Sequence, residues 1–181
     1  NPQCFDTITI TILYPQDPIT VVTSVTVDVL CYGDTTGVAE VNAIGGVLPY
    51  TYFWPSIGAT INTVSNLSAG NHNVIVTDAY GCEADTSVEI EHVYTAFSID
   101  LDTIQQVQCY GECNGEVLLN VSGSAPPYTF NWSSGQNYYG PGTDVLSGIC
   151  QGGHQVLITD DYGCDTVVPF IIAEPPELYA V

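Results

Sequence analysis

The chain of 181 residues contains no lysine or arginine but 20 aspartate and glutamate residues, which gives a formal net charge of −20 at pH 7. Because no basic side chain can neutralise phosphate groups, nucleic acids and anionic membrane surfaces are excluded as partners. Hydrophobic residues make up 45% of the chain, and its many Val, Ile, Thr and Tyr residues are typical of a folded β protein. No apolar run is long enough to insert across a bilayer.

One series of motifs occurs twice. Residues 31–82 contain Cys-Tyr-Gly, Pro-Tyr-Thr-Tyr-Phe-Trp and Thr-Asp-Ala-Tyr-Gly-Cys, and residues 109–164 contain Cys-Tyr-Gly, Pro-Tyr-Thr-Phe-Asn-Trp and Thr-Asp-Asp-Tyr-Gly-Cys. The first cysteines of the two copies are 78 positions apart and the last cysteines 82, so the second copy has four additional residues between Trp132 and Cys164. A repeat of this length predicts an array of small domains.

The repeat predicts complete domains at residues 19–94 and 95–175. Residues 1–18 match the last strand of a preceding copy, because Cys4 is followed by Asp6-Thr7 as Cys164 is by Asp165-Thr166. Residues 176–181 match the first residues of a following copy. We therefore expect a piece of a longer protein, whose targeting signals lie elsewhere, and prolines where the copies join predict a stiff rod.

In chain order, the strands of each copy show a period of two. Ala39, Val41 and Ala43 correspond to apolar residues of the second copy, and in Tyr50-Thr-Tyr-Phe-Trp54 the alternate aromatic positions are predicted to face the core. The Asp-x-Tyr-Gly sequence that follows Val74 and Val76 predicts a hairpin, in which aspartate caps backbone amides and glycine takes a positive φ. Short strands in units of about eighty residues predict an all-β, Ig-like sandwich with a tryptophan in a central strand.

The combined motifs C-x-G, G-x-x-x-P-Y-T-x-x-W and G-x-H-x-V-x-(V/I)-T-D-x-Y-G-C resemble the SprB-type repeat, which occurs in very large cell-surface adhesins of Bacteroidota, including those of gliding cells. His72 and His154 stand where Tyr or Thr is usual. The resemblance implies tandem Ig-like sandwiches, export by the type IX secretion system and an extracellular, outer-membrane-associated location on a Gram-negative cell. It also implies partners, namely neighbouring repeats, the secretion or gliding machinery and surface polysaccharide.

The resemblance thus predicts a non-enzymatic stalk or adhesive filament that serves gliding or attachment. The alternative is a carbohydrate-binding or spacer module of a secreted enzyme. No Ser/His/Asp or Cys/His arrangement indicates a catalytic site, and no cysteine spacing resembles a zinc site. We expect no cofactor, although carboxylates near the junctions, such as Asp17, Asp34, Glu112 and Asp161, could hold a structural Ca²⁺.

Seven cysteines in small β domains indicate disulfides and an oxidising, extracellular setting. Two pairing schemes are open, and both include a bond between Cys113 and Cys150. Because each complete copy has an even number of cysteines, the count favours bonds within the copies, Cys31 to Cys82 and Cys109 to Cys164, with Cys4 bonded outside the chain. Geometry favours a bond between copies, Cys31 to Cys164, with Cys4, Cys82 and Cys109 bonded to copies outside the chain. The reason is that the turn after the first strand and the last hairpin lie at opposite ends of a sandwich, about 20 Å apart for strands of six residues.

Two smaller features carry predictions. The resemblance to Bacteroidota surface proteins implies O-glycans where Asp-Thr is followed by an aliphatic residue or threonine, at Thr7, Thr35, Thr103 and Thr166. Asp-Thr is also ordinary turn chemistry. Tyr138-Tyr139 is predicted to lie in the inserted loop of the second copy, where it covers the edge of the sandwich or contacts a sugar.

Overall fold

The computed structural model describes residues 8–10 and 17–178, where the regular structure consists of β-strands. The chain divides into two compact units. Among the described residues, the first unit contains those up to Val27 together with Thr36–Ile90, and the second contains Asp28–Thr35 together with those from Glu91 onward. The short segment Asp28–Thr35 thus lies within the first copy of the sequence but belongs to the second unit. No described helix could cross a membrane.

The described part of the first unit contains six strands: β1 (Thr20–Val27), β2 (Gly37–Ile44), β3 (Thr51–Phe53), β4 (Thr63–Leu67), β5 (Gly70–Thr77) and β6 (Glu83–Ile90). They form two antiparallel sheets, with strand orders β1-β2-β4 and β3-β5-β6. The core contains Ala39 and Val41 from one sheet and Val74 and Val76 from the other, and all four side chains are fully buried. The predicted alternation is confirmed in these strands.

Seven strands form the second unit as far as residue 178: β7 (Ser98–Gln105), β8 (Gly115–Ser122), β9 (Tyr128–Trp132), β10 (Asn137–Gly140), β11 (Thr143–Ile149), β12 (Gly152–Thr159) and β13 (Asp165–Ile172). Their sheets have the orders β11-β8-β7 and β10-β9-β12-β13. This is the arrangement of the first unit with β10 added beside β9. Because the first, second and fourth main strands pair in one sheet and the third, fifth and sixth in the other, each unit is an Ig-like β-sandwich.

The core of the second unit is built on β9. Tyr128, Phe130 and Trp132 are buried, whereas Thr129 and Asn131 between them are half-buried, which confirms the predicted period of two. Phe170 of β13 meets the Trp132 ring edge to face, with the ring centroids 5.8 Å apart.

A glycine turn precedes the aromatic strand in both units. Gly45 and Gly123 have φ values of +80° and +79°, and a Cβ atom on either would collide with a backbone carbonyl, that of Pro18 or Ala96. The hydroxyl groups of Tyr50 and Tyr128 donate hydrogen bonds to the carbonyl groups of Gly45 and Gly123, five residues earlier. Glycine is therefore required here by both conformation and space, and the tyrosine fastens the turn to its strand.

Candidate functional site

The hairpin between the last two strands is held by one buried aspartate in each unit. The N–H groups of Tyr162 and Cys164 donate to Oδ1 of Asp160, both at 2.9 Å, as those of Tyr80 and Cys82 do to Oδ1 of Asp78. Gly81 and Gly163 take positive φ at the turn. The predicted capping hairpin is thereby confirmed.

The second oxygen of each carboxylate reaches a different loop. Oδ2 of Asp160 accepts hydrogen bonds from the Ser124 hydroxyl at 2.6 Å and the Ala125 N–H at 3.3 Å, and Oδ2 of Asp78 accepts one from the Val47 N–H at 3.1 Å. Each aspartate thus joins the last hairpin to the glycine turn. Sequence reasoning missed this contact; the aspartate and the glycine before the donors recur in both copies, but the donor residues themselves do not.

These hydrogen bonds determine the charge state of the aspartates. Burial alone raises the pKa of Asp160, but the bonds from Ser124, Cys164, Tyr162 and Ala125 outweigh it and hold the pKa below the ordinary 3.8. The pKa of Asp78 is lowered by the same balance between burial and backbone hydrogen bonds. Both groups are therefore ionised hydrogen-bond acceptors at neutral pH.

Beside this hairpin, the segment Asp28–Thr35 is bonded to the second unit. The sulfur atoms of Cys31 and Cys164 form a disulfide, with their Cα atoms 5.4 Å apart. The backbone N–H of Val29 donates to the Glu91 carbonyl at 3.0 Å, and the Val93 N–H donates to the Val29 carbonyl at 2.9 Å. These bonds direct the loop that carries Cys31 towards the hairpin that carries Cys164.

The pairing in the structure differs from the within-copy scheme. Cys31 is not bonded to Cys82, and Cys109 is not bonded to Cys164; Cys82 and Cys109 are exposed free thiols. The physical reason is that the segment around Cys31 belongs to the second unit, whereas Cys82 lies in the hairpin of the first. The structure therefore has the bond between copies that the geometric argument favoured.

Cys113 and Cys150, which both schemes paired, are bonded to each other in the structure. Cys113 lies in the turn before β8, and Cys150 lies between β11 and β12. Cys4 lies outside the described residues, so its predicted bond to a cysteine beyond the chain stays a prediction.

Two pairs of stacked or packed rings include residues within two positions of Cys31 or Cys164 in the chain. Tyr32 stacks on His92 with 4.5 Å between ring centroids, and Tyr94 packs on Tyr162 at 4.9 Å. A hydrogen bond to Tyr162, together with burial and the charges of nearby aspartates, raises the pKa of Tyr94 to about 12. A depression of about 350 Å³ has a mixed polar and apolar lining that includes Tyr32 and both bonded cysteines.

The predicted glycosylation sites differ in exposure. Thr35 and Thr103 are exposed, and Thr166 is half-buried in β13. Thr7 lies outside the described residues.

His72 and His154 occupy equivalent structural positions. Nε2 of each donates to the carbonyl four residues earlier, that of Ser68 at 2.8 Å and that of Cys150 at 3.0 Å. Both histidines thus fasten the start of a strand, as their recurrence suggested. Among residues 8–10 and 17–178, no three acidic, histidine or cysteine side chains gather into a group suited to a metal, so Ca²⁺ binding by Asp17, Asp34, Glu112 or Asp161 stays a prediction.

The inserted residues of the second copy form a strand rather than a loop. Asn137–Gly140 pairs with β9 as β10, and the Tyr138 ring stacks on Phe130 with 5.9 Å between centroids. Tyr139 on the opposite face is exposed. The pair therefore covers the edge of the sandwich, as predicted, but through backbone pairing that the insertion did not reveal.

A family model described as the SprB repeat matches residues 23–58 and 101–137. The chain carries the SprB repeat twice. The two matches begin at β1 and at β7 and each extends past the aromatic strand, so they fall on equivalent parts of the two sandwiches. The resemblance read from the motifs is confirmed.

Comparison with solved structures gives tandem Ig-like proteins at low similarity. Three N-terminal domains of the outer capsid protein Hoc from bacteriophage RB49 are 11% identical, with a TM-score of 0.39 over 87% of this chain and 59% of that one. The ectodomain of mouse nectin-like molecule 4 is 11% identical, with a TM-score of 0.39 over 92% and 67%. Domains 4 and 5 of the S-layer protein SbsC are 14% identical, with a TM-score of 0.33 over 86% and 100%. The chain thus spans 59% of the phage chain. No curated protein matches it in sequence.

Two SprB repeats and two disulfides indicate a segment of an extracellular surface protein of the adhesin type. Repeats of this kind and Ig-like sandwiches are typically structural modules without catalytic activity.

Proposed function

We propose that the chain is a non-enzymatic segment of a large secreted repeat adhesin on the surface of a Gram-negative bacterium, where it acts as a stalk or adhesive filament. The observation that carries this proposal is the duplication itself: two SprB repeats fold into two sandwiches in which hairpin, tryptophan and glycine turn all recur. Recurring features serve the scaffold of an array, whereas a catalytic site would not be expected in every unit.

The charge of the chain supports this role. With 20 acidic residues and no lysine or arginine, the chain repels anionic cell envelopes, and its own copies repel one another. Both effects favour a soluble segment that extends away from the cell. The absence of lysine and arginine also removes every cleavage site for trypsin-like proteases, which suits an exposed surface protein.

Export by the type IX system, association with the outer-membrane or gliding machinery, and contact with surface polysaccharide are the further parts of the proposal. They follow from the kind of protein in which the SprB repeat occurs. The repeats would act in cis with neighbouring repeats, and the adhesive contact would lie at a more specialised part of the array.

Antibodies raised against the chain test the surface location on intact, unpermeabilised cells of the bacterium that carries it. We expect surface labelling and a loss of attachment or gliding when the gene is deleted. A control antibody against a periplasmic protein must give no signal. If labelling appears only after permeabilisation, or if deletion leaves attachment unchanged and removes a secreted hydrolase activity, the accessory-module alternative replaces this proposal.

O-glycosylation is a separate part of the proposal. Thr35 and Thr103 are exposed and are therefore accessible to a transferase, whereas Thr166 is half-buried and would accept a glycan less readily. The intact mass of protein purified from the native cell should exceed that of the bare chain, and Thr103→Val should lower it by one glycan. A native mass equal to that of the bare chain would remove the idea.

A further inference from the structure

A depression of similar size lies beside the last hairpin in both units. In the first unit it has about 360 Å³, and its lining includes Asp78 and six residues with equivalents in the second unit: Asp17, Pro18, Ile19, Gly46, Cys82 and Glu83. The equivalent residues of the second unit are Thr95, Ala96, Phe97, Ser124, Cys164 and Asp165, and these line the depression of about 350 Å³. We call this place the socket.

The equivalence rests on hydrogen bonds as well as on sequence alignment. The Gly46 N–H donates to the Asp17 carbonyl at 2.9 Å, as the Ser124 N–H does to the Thr95 carbonyl at 3.1 Å. Both hairpins are fixed by the same aspartate bonds. The two sockets are therefore built alike.

The two sockets differ in which segments line them. In the second unit, Cys31, Tyr32 and Asp34 contribute to the lining, and the disulfide leaves Cys164 only 4% exposed. In the first unit, none of the residues that the structure describes takes the corresponding place, and Cys82 is an exposed thiol. Among the described residues, the first socket is thus lined by its own sandwich alone.

A second loop of the kind that lines the bonded socket is present in the chain without a disulfide at its cysteine. Cys109-Tyr110-Gly111 has the turn of the bonded loop: the Glu112 N–H donates to the Cys109 carbonyl at 3.1 Å, as the Asp34 N–H does to Cys31 at 3.1 Å. Gly111 has a φ of +77°, close to the +91° of the equivalent glycine. Because the loop has the same turn before it is bonded, docking costs little conformational entropy.

We propose that the socket of the first unit receives the Cys-Tyr-Gly loop of the repeat that precedes it, closing a disulfide to Cys82, and that Cys109 docks in the same way into the following repeat. Each repeat is then bonded to the next in one register, from the loop of one copy to the last hairpin of the following copy. Forming each bond removes two protons and two electrons from two thiols. A disulfide oxidant, such as oxidised glutathione or an oxidoreductase disulfide, accepts them and becomes two thiols.

The proposal rests on the repeat array proposed above, but its test needs only the 181-residue chain. If the register is right, Cys109 of one chain must bond to Cys82 of another. Two variants are prepared in a Cys4→Ser background, one with Cys82→Ser and one with Cys109→Ser, so that each keeps one free thiol. The two variants are mixed in equal amounts, each at about 1 mM, which is near the effective concentration of tethered sites. Oxidised glutathione is the oxidant, and about 150 mM salt screens the charge of the chains.

We expect the heterodimer with a Cys82–Cys109 bond to exceed nine tenths of all disulfide-linked dimers, as measured by intact mass and by the linked peptide. Random oxidation would give heterodimer as only half of the dimers, so a share near one half overturns the proposal. The absence of dimers overturns it as well. The same mixture in denaturant provides the control and must give the random share. This experiment can fail without contradicting the proposed adhesin function, because the order in which repeats are bonded does not affect the surface labelling of cells.

Discussion

Cys31→Ser should change how far the chain extends under force. In the oxidised protein, the Cys31–Cys164 bond closes a loop with a sequence separation of 133. Tension applied to the two ends passes through this bond and does not reach the strands inside the loop. Only the residues outside the loop can then be pulled straight, and these include β1 and β13.

The expected lengths follow from the two disulfides. About 48 residues lie outside the larger loop, 181 less 133, and at 3.6 Å per residue they extend to about 170 Å. In Cys31→Ser the loop of 37 closed by Cys113–Cys150 still shields its residues, so 133 less 37 leaves about 96 newly released residues, or about 350 Å of additional length.

Single-molecule force spectroscopy with handles at both ends measures this length directly. Cys109→Ser is the matched control, because it removes an exposed free thiol and should leave the maximum extension of the oxidised chain unchanged. If the oxidised wild-type chain and Cys31→Ser extend equally, the Cys31–Cys164 bond is not present and the disulfide argument fails.

Three further predictions concern the second unit. Asp160→Asn should lower its free energy of unfolding by about 2–3 kcal/mol, since a charged acceptor with four hydrogen-bond donors is replaced by an amide that cannot satisfy them all; denaturant unfolding checks this, and a loss below about 0.5 kcal/mol would contradict it. Because the folded pKa of Asp160 lies below 3.8, its stabilising contribution is complete above that pH and is lost as the pH falls through the folded pKa. The stability gap between wild type and Asp160→Asn should therefore be constant from neutral pH to about pH 5 and shrink below pH 4; a gap that is the same at pH 3 and pH 7 would refute the assignment. Tyr128→Phe should cost about 1 kcal/mol through loss of the bond to Gly123, whereas Tyr139→Phe, on an exposed ring, should cost almost nothing; equal losses would show that the bond is unimportant.

Local chemistry explains why much of the fold could be predicted from the sequence. The alternating aromatic residues Tyr128, Phe130 and Trp132 must all lie on one face of a strand, because neighbouring side chains point to opposite faces. In a half-buried strand, that face is the one that packs on the core. Asp160 before Tyr-Gly likewise determines its hairpin within five residues, through bonds to Tyr162 and Cys164. Such features depend on near neighbours in the chain.

Features that depend on residues far apart in the chain could not be predicted in the same way. The insertion before β11 gave no sign that Asn137–Gly140 would pair with β9, since four polar and aromatic residues suit a loop equally well. The second set of hydrogen bonds to Asp160, from Ser124 and Ala125, spans about 35 positions. The equivalent residues of the first copy are Gly46 and Val47, so the sequence does not mark these donors.

The sequence by itself determined that the chain is a tandem of acidic β domains with a shared hairpin, strand pattern and tryptophan, because composition and local periodicity carry that information. The pairing of the cysteines was decided only by the tertiary structure. Parity of the cysteines allowed Cys31 to bond within its copy, but the Val29 backbone bonds to Glu91 and Val93 place Asp28–Thr35 in the second unit. A disulfide requires Cα atoms within about 7 Å, and that condition is met by how the chain folds in space rather than by the order of its residues.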